Sequence, residues 1–276
     1  MADGVHDRVA KLLPAPEFAS TLPLRNSTNG LRYAYFGEAK VSSSDLDRIV
    51  QAVPVAIAPA LANRAFYFVP LALPEPGPEP SSPRIEAHHA HSEATLIAPV
   101  FTSDLAEEAV CHRNVSLPDS PLAPAHEGVF ISAGLLHDKF ALAFEFFINV
   151  GHAFTESFES AAAEIPEAFA ALAWSQALAE VRGETSQDAF EARTQALSAR
   201  PAHDEKAKLD FLEGAFADAL AIYLLSLAVD FDYSELRERE YPLLAPSALA
   251  ERLRVIARLY PPNSGYEFSV RYRRRA

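Results

Sequence analysis

Through most of the carboxy-terminal half of the chain, apolar residues recur at helical spacing. Residues 138–160, 165–182, 186–198, 204–228 and 246–259 carry them at i, i+3 and i+4 and predict helices, with Asp138, Ser186 and Asp204 standing where amino-terminal caps belong. The stretch ESAAAEIPEAFAALAWSQALAEV reflects helix propensity rather than repetition, and no repeat of fixed period runs along the chain. Earlier in the chain the pattern is mixed. LRYAYFGEAKV and LANRAFYFVP predict strands, whereas residues 45–63 predict a helix bent or interrupted at Pro54 and Pro59. Pro74, Pro76, Pro78, Pro80 and Pro83 exclude regular structure and predict a linker at about 70–83. Beyond it, EATLIAPVF is expected to be extended, DLAEEAVCHRNV to form a short helix or turn, and EGVFISAGLL to begin as a strand. The expected fold class is α+β, predominantly helical. The expected division is a mixed amino-terminal region, 1–95, followed by a helical domain, 96–276.

Composition narrows the function classes. The chain has 276 residues, 49% hydrophobic and 22% charged, an ordinary globular balance. Its 24 Lys plus Arg against 37 Asp plus Glu give a net charge of -13, which repels a nucleic-acid backbone or an anionic membrane. Arg271, Arg273, Arg274 and Arg275 read as a solubilising tail. The single cysteine, Cys111, rules out an internal disulfide, and adjacent His112 is weak support for a thiol nucleophile. MADGVHDRVAKLLPAP lacks the apolar core of a secretory signal, and the apolar runs fall short of the roughly 18 residues of a membrane span. A cytoplasmic protein without a membrane span is expected. Ten glycines form no phosphate-cradling loop, and Ser132 lacks the Gly-x-Ser-x-Gly turn of a serine nucleophile.

The chemistry worth testing lies in DKFALAFEFFINVGHAFTESFES, where Ile148, Asn149 and His152 fall around one helical turn. In His-Glu-x-x-His the first and last of these positions grip zinc, and the carboxylate between them polarises the attacking water. The preceding sequence, GVFISAGLLHDKFALAFEFF, resembles the HtpX-like family of gluzincin metallopeptidases, which place a substrate-facing edge strand, a GLL turn and a Leu-Ala-containing helix ahead of the zinc motif. The matching residues are Val129, Phe130, Ile131 and Ser132 in the strand, Gly134, Leu135 and Leu136 in the turn, and Leu142 and Ala143 in the helix. Downstream, DFLEGAFADALAIYLLS is similar to the family's helix that carries a glutamate ligand four residues before a supporting aspartate, putting Gly214 and Asp218 at those positions and Glu213 one residue out of register. IARLYPP, residues 256–262, resembles the family's proline-rich ending, so that the resemblance covers about residues 118–262. It implies a gluzincin-like scaffold over 96–276, with a small sheet packed on the active-site helix.

The departures from that pattern carry the functional expectation. Ile148 has no lone pair, Gly214 has no side chain and Asn149 cannot act as a general base. One imidazole cannot supply the three protein ligands of a catalytic zinc. No catalytic residues, metal or other cofactor are expected at Ile148, Asn149, His152, Gly214 and Asp218. His152 is expected to be hydrogen-bonded to Asp218. A rebuilt zinc site would draw on His152, Glu156 and Glu213 or an added histidine, with His88, His89, His91 and His126 available. Glu145, among phenylalanines, has either a raised pKa or a side chain bent out to solvent. The expected function is that of a catalytically inactive metallopeptidase homologue, a pseudopeptidase that binds a peptide or protein through strand addition at Val129, Phe130, Ile131 and Ser132. The alternatives are an active zinc peptidase with non-family ligands and a plugged groove with a structural role. Nothing in the sequence fixes an oligomeric state.

Overall fold

The computed structural model describes residues 12–37, 41–74, 95–117, 127–136, 138–158, 164–198, 204–236 and 241–270. It is an α+β structure that divides into two compact units, one formed by residues 1–45 and 62–138 and the other by 46–61 and 139–276. The expected boundary at residue 95 falls inside the first unit. Strand pairing explains the shift, because the segment ending at Ser132 is hydrogen-bonded to a strand near residue 67.

Five strands of the first unit form a mixed sheet: β2 (Arg25–Asn26), β3 (Arg32–Tyr35), β4 (Arg64–Val69), β7 (His112–Ser116) and β8 (Glu127–Ser132), in the order β2-β3-β4-β8-β7. β3, β4 and β8 run parallel. The chain between β3 and β4 passes through α2 (Ser43–Gln51) and a 3₁₀ turn at Ala58–Leu61, the long connection that parallel neighbours require. All six residues of β4 are buried, so after the ion-paired Arg64 its AFYFV reads as a continuous rather than an alternating apolar run.

β1 (Leu13–Pro14), β6 (Thr95–Ala98) and β5 (Leu71–Pro74) form a smaller antiparallel sheet in the order β1-β6-β5. β5 corrects the expectation that the proline-rich stretch is irregular from residue 70. Leu71 and Leu73 bury against Ala98, while Ala72 turns to the opposite core, and Pro74 is tolerated because β5 is an edge strand. The remaining linker prolines lie outside the described residues. The short helix α1 (Ala15–Thr21) places Ala15, Phe18 and Ala19 on the core that also holds Ala65, Tyr67, Ile97, Val115 and Phe130.

The second unit contains α3 (Lys139–Glu156), α4 (Glu167–Leu178), α5 (Gln187–Ser198), α6 (Glu205–Ala228) and α7 (Pro246–Leu259). Asp204 accepts a hydrogen bond from the Ala207 N–H at 3.0 Å, and Ser186 Oγ accepts one from the Ala189 N–H at 3.2 Å, so these two of the three expected caps form. α6 is 24 residues long, with an 18-residue window apolar enough for a membrane span, contrary to the expectation that no run qualifies. Of that window 83% is buried, which is also how the central helix of a folded core reads. After α7, Asn263 donates to the carbonyls of Gln51 and Val53 and accepts from the Val55 N–H, tying the end of the helical unit to residues 51–55.

Candidate functional site

α3 carries the positions that the resemblance assigns to zinc chemistry. Ile148 and His152 are half-buried and Asn149 is buried. The Asn149 amide is committed within its own helix, where Nδ2 donates to the Glu145 carbonyl at 2.8 Å and to Glu145 Oε1 at 3.0 Å. Glu145 therefore has a polar partner despite its phenylalanine neighbours. The His152 carbonyl accepts from Thr155 Oγ1 at 2.9 Å. Glu156 is exposed on the last turn.

The way α6 meets α3 follows from small residues. A Cβ built on Gly151 would stand 2.5 Å from the Ala217 carbonyl oxygen, so the two backbones approach closely where the sequence reads INVGH. Phe154 and Phe158 reach Phe216, both with ring centroids 6.3 Å apart, and Glu156 lies near enough to Glu213 to raise its pKa. Residues 213, 216 and 217 thus form the side of α6 that meets α3. Gly214 and Asp218 lie roughly 100–140° round the helix from Glu213, at ~100° per residue.

The contacts of those two positions agree with this geometry. A Cβ on Gly214 would meet only Ala189 of α5, at 3.9 Å. Asp218 accepts from Thr185 Oγ1 at 3.0 Å and is also hydrogen-bonded by the Ser186 hydroxyl. These partners take the place of the expected His152 partner for the Asp218 carboxylate, because the 214/218 face of α6 is turned toward the start of α5. Burial pushes the Asp218 carboxyl up to about 6, with Asp188 and Glu184 adding to the rise and the two hydroxyls opposing it.

The alternative ligand set is only partly assembled. Glu213 is raised by burial, then by Asp210 and Glu156, so two of its carboxylates are close. Yet among the described residues no group of three His, Cys, Asp or Glu side chains is arranged to hold a metal ion. His88, His89, His91 and His126 lie outside the described residues.

The strand expected to receive a peptide is not an edge. β8 pairs with β4 along Glu127–Ser132 on one side and with β7 at Glu127, Gly128 and Phe130 on the other. Val129, Phe130, Ile131 and Ser132 are all buried, and the Ser132 hydroxyl is engaged by the Ala72 N–H and the Val110 carbonyl. Strand addition at these four residues is therefore corrected: their main chain lies inside a formed sheet.

Sequence reasoning missed a buried charged centre in the helical unit. Arg252 and Glu184 are both fully buried and pair through two hydrogen bonds, Nη1 to Oε2 at 2.8 Å and Nη2 to Oε1 at 3.2 Å. Arg252 Nε donates to Gln176 Oε1 at 2.8 Å, and Gln176 Nε2 donates onward to the Ala248 carbonyl and to Glu251. Arg193 Nη1 donates to Glu184 Oε1 and to the carbonyls of Val181 and Gly183. The available signal was Arg252 itself, a charge within the apolar stripe Leu249, Leu253, Ile256 of α7. Every charge in this centre is answered by another protein group, an arrangement that joins α4, α5, α7 and the 181–186 turn rather than presenting a reactive atom.

No protein-family model, curated protein or solved structure matches the chain.

Proposed function

We propose that this chain is a catalytically inactive protein on a metallopeptidase-like scaffold, a pseudopeptidase that acts by binding a peptide or protein. The observation that carries the reading is the orientation of α6. Gly214 and Asp218 face α5, while α3 offers Ile148, an Asn149 held by Glu145, and His152. A gluzincin-type zinc centre needs three protein ligands and a base converging on one water, and these residues supply neither the donors nor the convergence. The ordered resemblance of the strand, turn and helix segments supports the scaffold. Partner binding is proposed without the β8 strand-addition mode, since that strand already has neighbours on both sides.

The alternative, an active zinc peptidase using His152, Glu156 and Glu213, draws its support from the closeness of Glu156 to Glu213. The two readings separate in one assay. The protein is incubated with a library of unfolded-protein peptides, with and without added zinc, and products are read by mass spectrometry. The inactive scaffold leaves the library intact in both arms. Zinc-dependent cleavage that disappears in His152→Ala would replace it with the alternative.

A further inference from the structure

In the first unit, three aromatic side chains stand in a row across neighbouring strands. Tyr67 on β4 is in register with Phe130 on β8, and Phe130 is in register with His112 on β7. Residues paired this way point to the same face, here the core shared with α1 and the smaller sheet. The Tyr67 ring stacks on Phe130, with centroids 4.7 Å apart and planes 10° apart. His112 is held on the other side by Thr95, whose hydroxyl lies 3.0 Å from Nδ1.

The polar ends of this row are unanswered. Tyr67 is 0% exposed and His112 6%, yet neither the tyrosine hydroxyl nor His112 Nε2 has a hydrogen-bond partner. Asn114 Oδ1, two residues along β7, is likewise buried without a partner. Asn114 has φ 57° and lies where the β7–β8 register shifts, so the local backbone is already diverted from regular pairing. Buried polar atoms in native proteins are almost always satisfied, by protein groups or by ordered water. Several orphans associated with one layer call for a guest.

The surroundings define that guest. Ala15, Phe18, Ala19, Val115 and Leu117 line the layer with hydrocarbon, which disfavours an ion. Burial lowers the His112 pKa and so disfavours the charged ring as an anchor for an anion, while the Arg32 charge is felt at the Tyr67 hydroxyl. The phenol both donates and accepts, and Nε2 does one or the other according to how Thr95 meets Nδ1. Water satisfies either case. We propose that buried water, bound by the Tyr67 hydroxyl and by His112 Nε2, is a built-in part of the layer between the five-stranded sheet and α1.

Tyr67→Phe is the test, because it removes one hydroxyl and leaves the stacked ring. If the hydroxyl binds water, the variant loses a satisfied hydrogen bond, and the folding equilibrium constant measured by urea unfolding falls by roughly 2- to 10-fold. If the hydroxyl is bare, its removal relieves a buried unsatisfied group and the constant rises. A high-resolution crystal structure of the full chain gives an independent reading, with ordered density expected within hydrogen-bond distance of Tyr67 Oη and His112 Nε2. Either a Tyr67→Phe variant more stable than the parent or the lack of such density would overturn the proposal.

Discussion

Gly151 and Ala217 bring the backbones of α3 and α6 together so closely that a Cβ on Gly151 would stand 2.5 Å from the Ala217 carbonyl oxygen. Helix propensity alone favours alanine over glycine by about 1 kcal/mol. Here the obstructing atom belongs to a backbone and cannot rotate aside. Gly151→Ala is expected to lower unfolding free energy by about 1–3 kcal/mol as the helices separate. Urea unfolding followed by circular dichroism checks this, and an unchanged or increased midpoint would contradict the packing.

The pair Arg252–Glu184 carries a second expectation. Removing one member leaves a buried charge unpaired, so Arg252→Ala should cost about 3–5 kcal/mol. Replacing both, as Arg252→Met with Glu184→Leu, should recover a large part of that loss, since Arg193 keeps the carbonyls of Val181 and Gly183. A double-mutant cycle reads the coupling, and simple additivity of the two losses would show that the residues do not act as a pair.

Asp218 gives the protein a pH signature. Its folded-state pKa of about 6 lies above the ordinary value of 3.8, so folding favours the protonated carboxyl. The group's contribution to stability is therefore present below about pH 4, is lost as pH rises from there to about 6, and stays lost above that. Asp218→Asn keeps an acceptor for Thr185 and removes the titration. It is expected to raise stability at pH 7.5 by about 1–3 kcal/mol and to make little difference at pH 4. Unfolding of both proteins across that range measures it, and a variant less stable at pH 7.5 would reverse the assignment.

Local pattern revealed the helices and concealed what they face. The spacing over 246–259 predicts α7 with the bounds it has, and Asp204 and Ser186 cap the helices they precede. β5 was hidden because Pro74 masks the Leu-Ala-Leu alternation before it, although an edge strand accepts a terminal proline. The internal position of β8 was hidden because EGVFIS specifies a buried strand without naming its neighbours. At the candidate site, the sequence alone showed that Ile148 and Gly214 carry no metal-binding atom and that Asn149 cannot act as a general base. The direction of Asp218 was not, since a helix turns by ~100° per residue and the face that meets α3 is set by Gly151 and Ala217 rather than by the motif.

The central claim is that His152 does not anchor a catalytic metal. Elemental analysis of the purified full-length protein, before and after incubation with zinc and dialysis, tests it most directly, with His152→Ala measured alongside. The inactive-scaffold account predicts well under one zinc per chain in both proteins. One zinc per chain in the parent, lost in His152→Ala, would contradict it.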